Sequence, residues 1–162
     1  MESGYEERPF SGDPCAYAVD AAVGKARWVA ERHSGIVIGA DTVVAIGGTM
    51  LGKPTSEAQA RLMLRQLSGR THTVCTGICV IDAKTGRKRT ACETTAVTFR
   101  SLSNEAIDGY LEAGEYRDKA GAYGIQGAGS RFVADVRGEL TTVIGLPLPS
   151  LALLLREMGV PV

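Results

Sequence analysis

Apolar and polar positions along this chain follow two periods, and the switches between them mark alternating helices and strands. Asp13-Pro14 opens the first element, with a side-chain acceptor at the cap and a proline where its missing N–H costs nothing; Gly35 suits the far end. A helix is predicted from about Pro14 to His33, after some ten polar, irregular residues. Ile36 to Ala40 is an apolar run of the buried-strand kind, and Val43 to Ile46 is a second. Asp41-Thr42 interrupts them. Gly47-Gly48 turns a hairpin that returns Met50 to Pro54 beside the strand just left, making Asp41 and Lys53 neighbours.

Thr55 or Ser56 caps the next helix, whose apolar stripe is Ala60, Met63, Leu64 and Leu67, and Ser68-Gly69 ends it. Thr71 to Asp82 and Lys88 to Arg100 are β-rich and joined by a short turn around Gly86, a long antiparallel hairpin. A helix capped by Ser103 covers about Asn104 to Glu112. From Gly114 to Gly129 glycine is too dense for a regular element, and the composition is that of a loop. Phe132 to Val136 returns to strand, and Leu146 to Pro149 opens a last helix with Leu151, Leu154, Leu155 and Met158 inward.

Composition narrows the class. With 162 residues, 44% of them hydrophobic, the chain can close one sizeable core, so a single domain over 1–162 is expected. Eighteen basic residues balance eighteen acidic ones, so no global field recruits nucleic acid or an anionic membrane, and any anionic ligand must be held by a local cluster. No apolar run approaches the roughly 18 residues of a membrane span, and the N-terminus has no signal-peptide core; a cytoplasmic protein is expected. Cys15, Cys75, Cys79 and Cys92 fit reduced thiols packed as small hydrophobes. His72, Cys75 and Cys79 do not make a zinc site: on a strand the two cysteines share a face and His72 points to the other.

Few residues carry potential chemistry, and each has an ordinary alternative. Asp41 between two apolar runs either caps a turn at a strand end or has a partner or a job, because an unpaired buried carboxylate is strongly disfavoured. Lys53 is a solvated loop lysine or a phosphate contact; Lys25, on a helix, is of a kind usually solvated. Asp118, Lys119 and Gln126 sit among glycines that let backbone approach a ligand, or in a plain surface loop. The chain has no GxxxxGK[ST], GxGxxG or GxSxG motif, so phosphate-loop, dinucleotide-binding and hydrolase-elbow readings lack support.

The blocks GADTVV (39–44), LGKP (51–54), LSGRTH (67–72), DKAGAYGIQG (118–127) and VIGLPL (143–148) resemble, in that order, the Maf family. The resemblance runs from about Tyr17 to the C-terminus. It implies an α/β fold with a mixed twisted sheet flanked by helices, in two lobes with a cleft between them, often as a homodimer. It also implies hydrolysis of a nucleoside triphosphate to monophosphate and pyrophosphate with a divalent metal, magnesium or manganese. Carried onto this sequence, Asp41 becomes the proton acceptor or metal-side carboxylate, with Glu6 or Glu7 a further acidic position at the metal. Lys25 and Lys53 become triphosphate contacts, with Lys119 also on the substrate and Gln126 on the base side. Thr42 and Gln126 resemble the subgroup acting on dTTP and UTP, where the 7-methyl-GTP subgroup tends to carry glutamine and glutamate. Such chemistry is physically sensible: several phosphate charges must be neutralised by metal and lysines while a carboxylate orients or deprotonates water.

This sequence departs from the family pattern in two places. Family members open with a strand and a Ser-x-Ser-Pro-Arg-Arg loop that holds phosphates, and GYEERPF (4–10) looks like the stretch after it, so the domain is expected to be N-terminally short. Gly24 stands where the family commonly has glutamate. The alternatives are a catalytically silent nucleotide-binding protein linked to septum formation and a 7-methyl-GTP pyrophosphatase. A nucleic-acid binder is disfavoured by the zero net charge.

Overall fold

The computed structural model describes residues 2–162; Met1, the first residue of the expected 1–162 domain, lies outside them. Asp13 caps helix α1 (Pro14–Ala30), accepting from the Ala16 N–H at 2.9 Å. The helix stops three residues before the expected His33, at a cap on Glu31, and Gly35 with φ 101° turns the chain into β1 (Ile36–Ile46). Gly47 and Gly48, both at positive φ, make the predicted hairpin to β2 (Thr49–Leu51).

Ser56 caps α2 (Glu57–Leu67), and its stripe of Ala60, Met63, Leu64 and Leu67 is buried as the spacing predicts. The long hairpin is β3 (Thr71–Asp82) with β4 (Lys88–Phe99), followed by α3 (Asn104–Glu112) under its Ser103 cap. The glycine-rich stretch holds two 3₁₀ turns, Ala120–Ala122 and Gly127–Phe132, before β5 (Val133–Arg137), which starts one residue later than expected. A five-residue helix, α4 (Leu140–Ile144), was not legible in the sequence; α5 (Leu148–Glu157) follows.

The strands form one sheet in the order β2-β1-β3-β4-β5. The α/β class and flanking helices are as expected, but all four ladders are antiparallel where a mixed sheet was anticipated. A parallel pair needs a crossover, and here paired strands are joined by hairpins or by returns that reverse direction. The expected break at Asp41 is also absent. β1 runs through it, with Asp41 opposite Gly77, because the ladder to β3 is unbroken there; among the described residues the other side of the strand is unpaired before Val44. The backbone stays paired while the carboxylate reaches out of the sheet.

The largest apolar cluster lies where α2, α3 and the glycine-rich loop cover one end of the sheet, built on Leu64, Val74, Phe99, Ile107 and Tyr123. At the other end α1 and α5 cover opposite faces, α5 through Leu151 and Leu154 on Ile78 and Val80. α1 packs through small residues, Ala18, Ala22 and Ala26, directly onto Gly39 and Gly77. A Cβ on Gly77 would stand 2.4 Å from the backbone of Ala18 and Val19, so helix and sheet touch main chain to main chain.

The expectation of four reduced thiols is corrected in part. Cys15 and Cys92 form a disulfide, while Cys75 and Cys79 are free and buried. The packing of α1 brings the two Cα atoms to 5.9 Å, within bridging range, although they are 77 residues apart in sequence. No helix among the described residues is long and apolar enough to cross a membrane.

Candidate functional site

The cleft lies between the two ends of the molecule and encloses about 370 Å³, the size of a small-ligand pocket. β1 and β3 supply its floor with Ala40, Asp41, Thr42, Val44 and Val74. α1 contributes Lys25, and Lys53 comes from the segment after β2. The glycine-rich loop adds Asp118, Lys119, Tyr123 and Gln126, and Val143 to Gly145 at the end of α4 close the far wall. Past Asp41 a second hollow of about 350 Å³ shares Asp41, Thr42 and Lys53 and is lined by Glu7, Arg8 and Phe10 of the N-terminal segment.

Asp41 is the most buried acid of the site, its side chain only 9% exposed. The ordinary alternative of a turn cap does not hold, since it lies mid-strand and its carboxylate accepts from the Lys25 ammonium. Lys25 also meets Glu7 at 2.7 Å, so one ammonium sits between two carboxylates. Burial raises the Asp41 carboxyl above its ordinary value against the pull of Lys25. For Lys25 burial acts downward, but hydrogen bonds and charge from Asp41 and Glu7 outweigh it and hold the ammonium above its usual value. The charge of Lys53 also favours the ionised form of Asp41, in keeping with the neighbour relation read from the hairpin.

Among the other sequence candidates, Thr42, Lys119 and Gln126 line the cleft, the two loop residues exposed at its rim. Glu7 joins the cluster and Glu6 does not; it is exposed and makes no ion pair among the described residues. The side chains alternate along an extended segment, so only one of the two can face α1. The segment is irregular but anchored. The Tyr17 hydroxyl donates to the Arg8 carbonyl at 2.8 Å, the Tyr5 ring lies 2.3 Å from where a Gly24 Cβ would stand, and Phe10 covers Gly52 in the same way. Gly24 in place of the family's usual glutamate thus makes room for Tyr5.

Sequence reasoning missed Arg8, Tyr123 and Thr76. Tyr123 was inside a quoted block, and an aromatic residue amid glycines was a usable signal; its hydroxyl meets His72 Nε2 at 2.7 Å in the core below the cleft. Thr76 gave none, being one of several threonines on a strand. Its hydroxyl donates to the Thr142 carbonyl at 2.7 Å and contacts the Thr42 hydroxyl at 2.8 Å. The loop is shaped by backbone as much as side chains. Asp118 and Ala122 take positive φ without being glycine, and Gly124 leaves space for the Lys119 stem.

One buried carboxylate, a lysine fixed on it and further lysines at the rim bring together a group able to take up a proton and positive charge able to meet an anion. The family model for Maf-like proteins matches residues 1–158, and the chain belongs to that family. Among its curated relatives, a protein of Thermococcus gammatolerans is 49% identical over 159 residues, covering 98% of this chain and 84% of the relative. Another, of Moorella thermoacetica, is 47% identical over 162 residues, covering 99% and 81%, and one of Deinococcus radiodurans is 44% identical over 159 residues, covering 98% and 80%. All three are named dTTP/UTP pyrophosphatase.

Proposed function

We propose that this protein is a nucleoside triphosphate pyrophosphatase that hydrolyses dTTP and UTP to the monophosphate and pyrophosphate. The observation that carries the reading is the seating of Asp41, a nearly buried carboxylate ion-paired to Lys25 at the base of a nucleotide-sized cleft, in a family whose relatives at 44–49% identity bear that activity in their names.

Asp41 is suited to accept a proton from water, because burial raises its basicity while Lys25 fixes its position. Lys53 and Lys119 face the cleft with charges free to meet phosphate oxygens, and Gln126 on the same loop offers an amide to the base. Among the described residues no three histidine, cysteine or acidic side chains group to hold a metal. The donor chemistry nevertheless suits a hard divalent cation with substrate phosphates completing its shell: Asp41 and Glu7 already share one cation, the Lys25 ammonium. Those two residues would hold magnesium or manganese, and the metal would neutralise phosphate charge when bound. Glu6 is not included.

The test is pyrophosphate release from dTTP, UTP, CTP and 7-methyl-GTP with magnesium or manganese. Turnover of dTTP and UTP well above the others supports the reading; preference for 7-methyl-GTP, or binding of nucleotide without turnover, overturns it in favour of the corresponding alternative.

A further inference from the structure

The hydroxyl chain beneath Thr42 has a fixed direction. A threonine hydroxyl carries one hydrogen. Thr76, fully buried, spends its hydrogen on the Thr142 carbonyl at 2.7 Å, an oxygen that can only accept. The 2.8 Å contact between the two hydroxyls therefore has Thr42 as donor and Thr76 as acceptor. Once its hydrogen points inward, Thr42 presents lone pairs alone to the cleft. Gly145 keeps that side open, since a Cβ there would pack against the Thr42 oxygen at 3.5 Å.

We propose that Thr76 is a positioning residue that orders the Thr42 hydroxyl, so that Thr42 meets the nucleobase only as a hydrogen-bond acceptor and selects a base with an N–H on its ring edge. This rests on the pyrimidine nucleotide reading above. Uracil and thymine carry a ring N–H between two carbonyls, which an acceptor satisfies. Cytosine carries a bare lone pair at that ring nitrogen, so two acceptors would face each other and one buried acceptor would stay unpaired. A free hydroxyl could rotate and serve either base; Thr76 removes that freedom. The selectivity against cytosine thus resides in a residue that touches no ligand.

Equilibrium binding of the non-cleavable α,β-methylene analogues of UTP and CTP tests this without depending on turnover. The wild-type chain and Thr76→Ser, which keeps the relay, are expected to prefer the uridine analogue. In Thr76→Val the ratio should fall by about tenfold or more, the effect of one unpaired polar group. In a Thr42→Val background the same Thr76→Val change should leave the ratio unmoved, which a purely structural role would not produce. Thr76→Ala serves if the valine variant does not fold. An unchanged ratio in Thr76→Val, or no uridine preference in the wild type, overturns the proposal. Separately measured turnover of UTP decides the pyrophosphatase reading, so either can fail alone.

Discussion

Gly77 is the position where packing and chemistry meet most tightly. It pairs with Asp41 across the ladder and lies under Ala18 and Val19 of α1, the helix that carries Lys25 two turns further on. In Gly77→Ala the new methyl would begin 2.4 Å from helix backbone, and reaching the 3.4 Å of ordinary contact requires helix and sheet to part by about 1 Å. Neither side can yield by a rotamer change, because both are main chain. Overpacking of this kind costs about 1–3 kcal/mol. For a chain of this length each kcal/mol lowers the melting temperature by about 2–4 °C. Moving Lys25 by even part of that displacement misplaces the Asp41 carboxylate, and misplacements near 1 Å can cost about a hundredfold in rate. Thermal melts and steady-state pyrophosphate release check both effects. Gly109→Ala is the control of opposite sign: Gly109 is exposed inside α3 with nothing within 4 Å, so alanine should add about 0.5–1 kcal/mol through helix propensity alone. A Gly77→Ala protein with wild-type melting and kcat/KM would refute the main-chain contact between α1 and the sheet.

Reduction of Cys15–Cys92, or the Cys15→Ser/Cys92→Ser variant, should lower stability by up to about 4.5 kcal/mol, the loop-closure scale for a 77-residue separation; equal denaturant midpoints with thiol labelling complete would contradict this. His72 is held down at about 4 by burial, against an ordinary 6.5. Its neutral form is the one that fits the fold, so its contribution is complete above pH 6.5 and lost as pH falls toward 4, about 3 kcal/mol over the window. His72→Gln should flatten that part of the stability profile, and parallel profiles would show that burial does not govern His72. Lys25→Met should leave Asp41 without its nearest cation and push its carboxyl further up, shifting the acidic limb of the kcat/KM profile to higher pH; an unmoved limb would mean that Lys25 does not set the charge of Asp41.

Much of the fold was legible because local chemistry and packing agree. Asp13 and Ser103 are helix caps that the sequence names directly, Ser56 was one of two candidates with Thr55, and the α2 stripe and the β3–β4 hairpin follow from period alone. Short α4 was missed because five residues make little more than a turn, without room for a periodic signal. The disulfide was missed because cysteines 77 apart meet only through the seating of α1 on glycines. At the site, Asp41 announced itself as a charge in an apolar run, whereas the pairing with Lys25 depends on the height of α1 above the sheet. Glu6 and Glu7 were indistinguishable until the direction of an irregular segment separated them. The Thr76 relay leaves no trace in sequence, since its meaning lies in which oxygen its single hydrogen reaches.

The most direct measurement is product analysis of UTP and dTTP incubated with the wild-type protein and with Asp41→Asn. The account predicts UMP or dTMP with equimolar pyrophosphate from the wild type, and a loss of at least about a hundredfold in Asp41→Asn with nucleotide binding retained. Release of inorganic phosphate with the diphosphate, or an Asp41→Asn protein as active as the wild type, would contradict it.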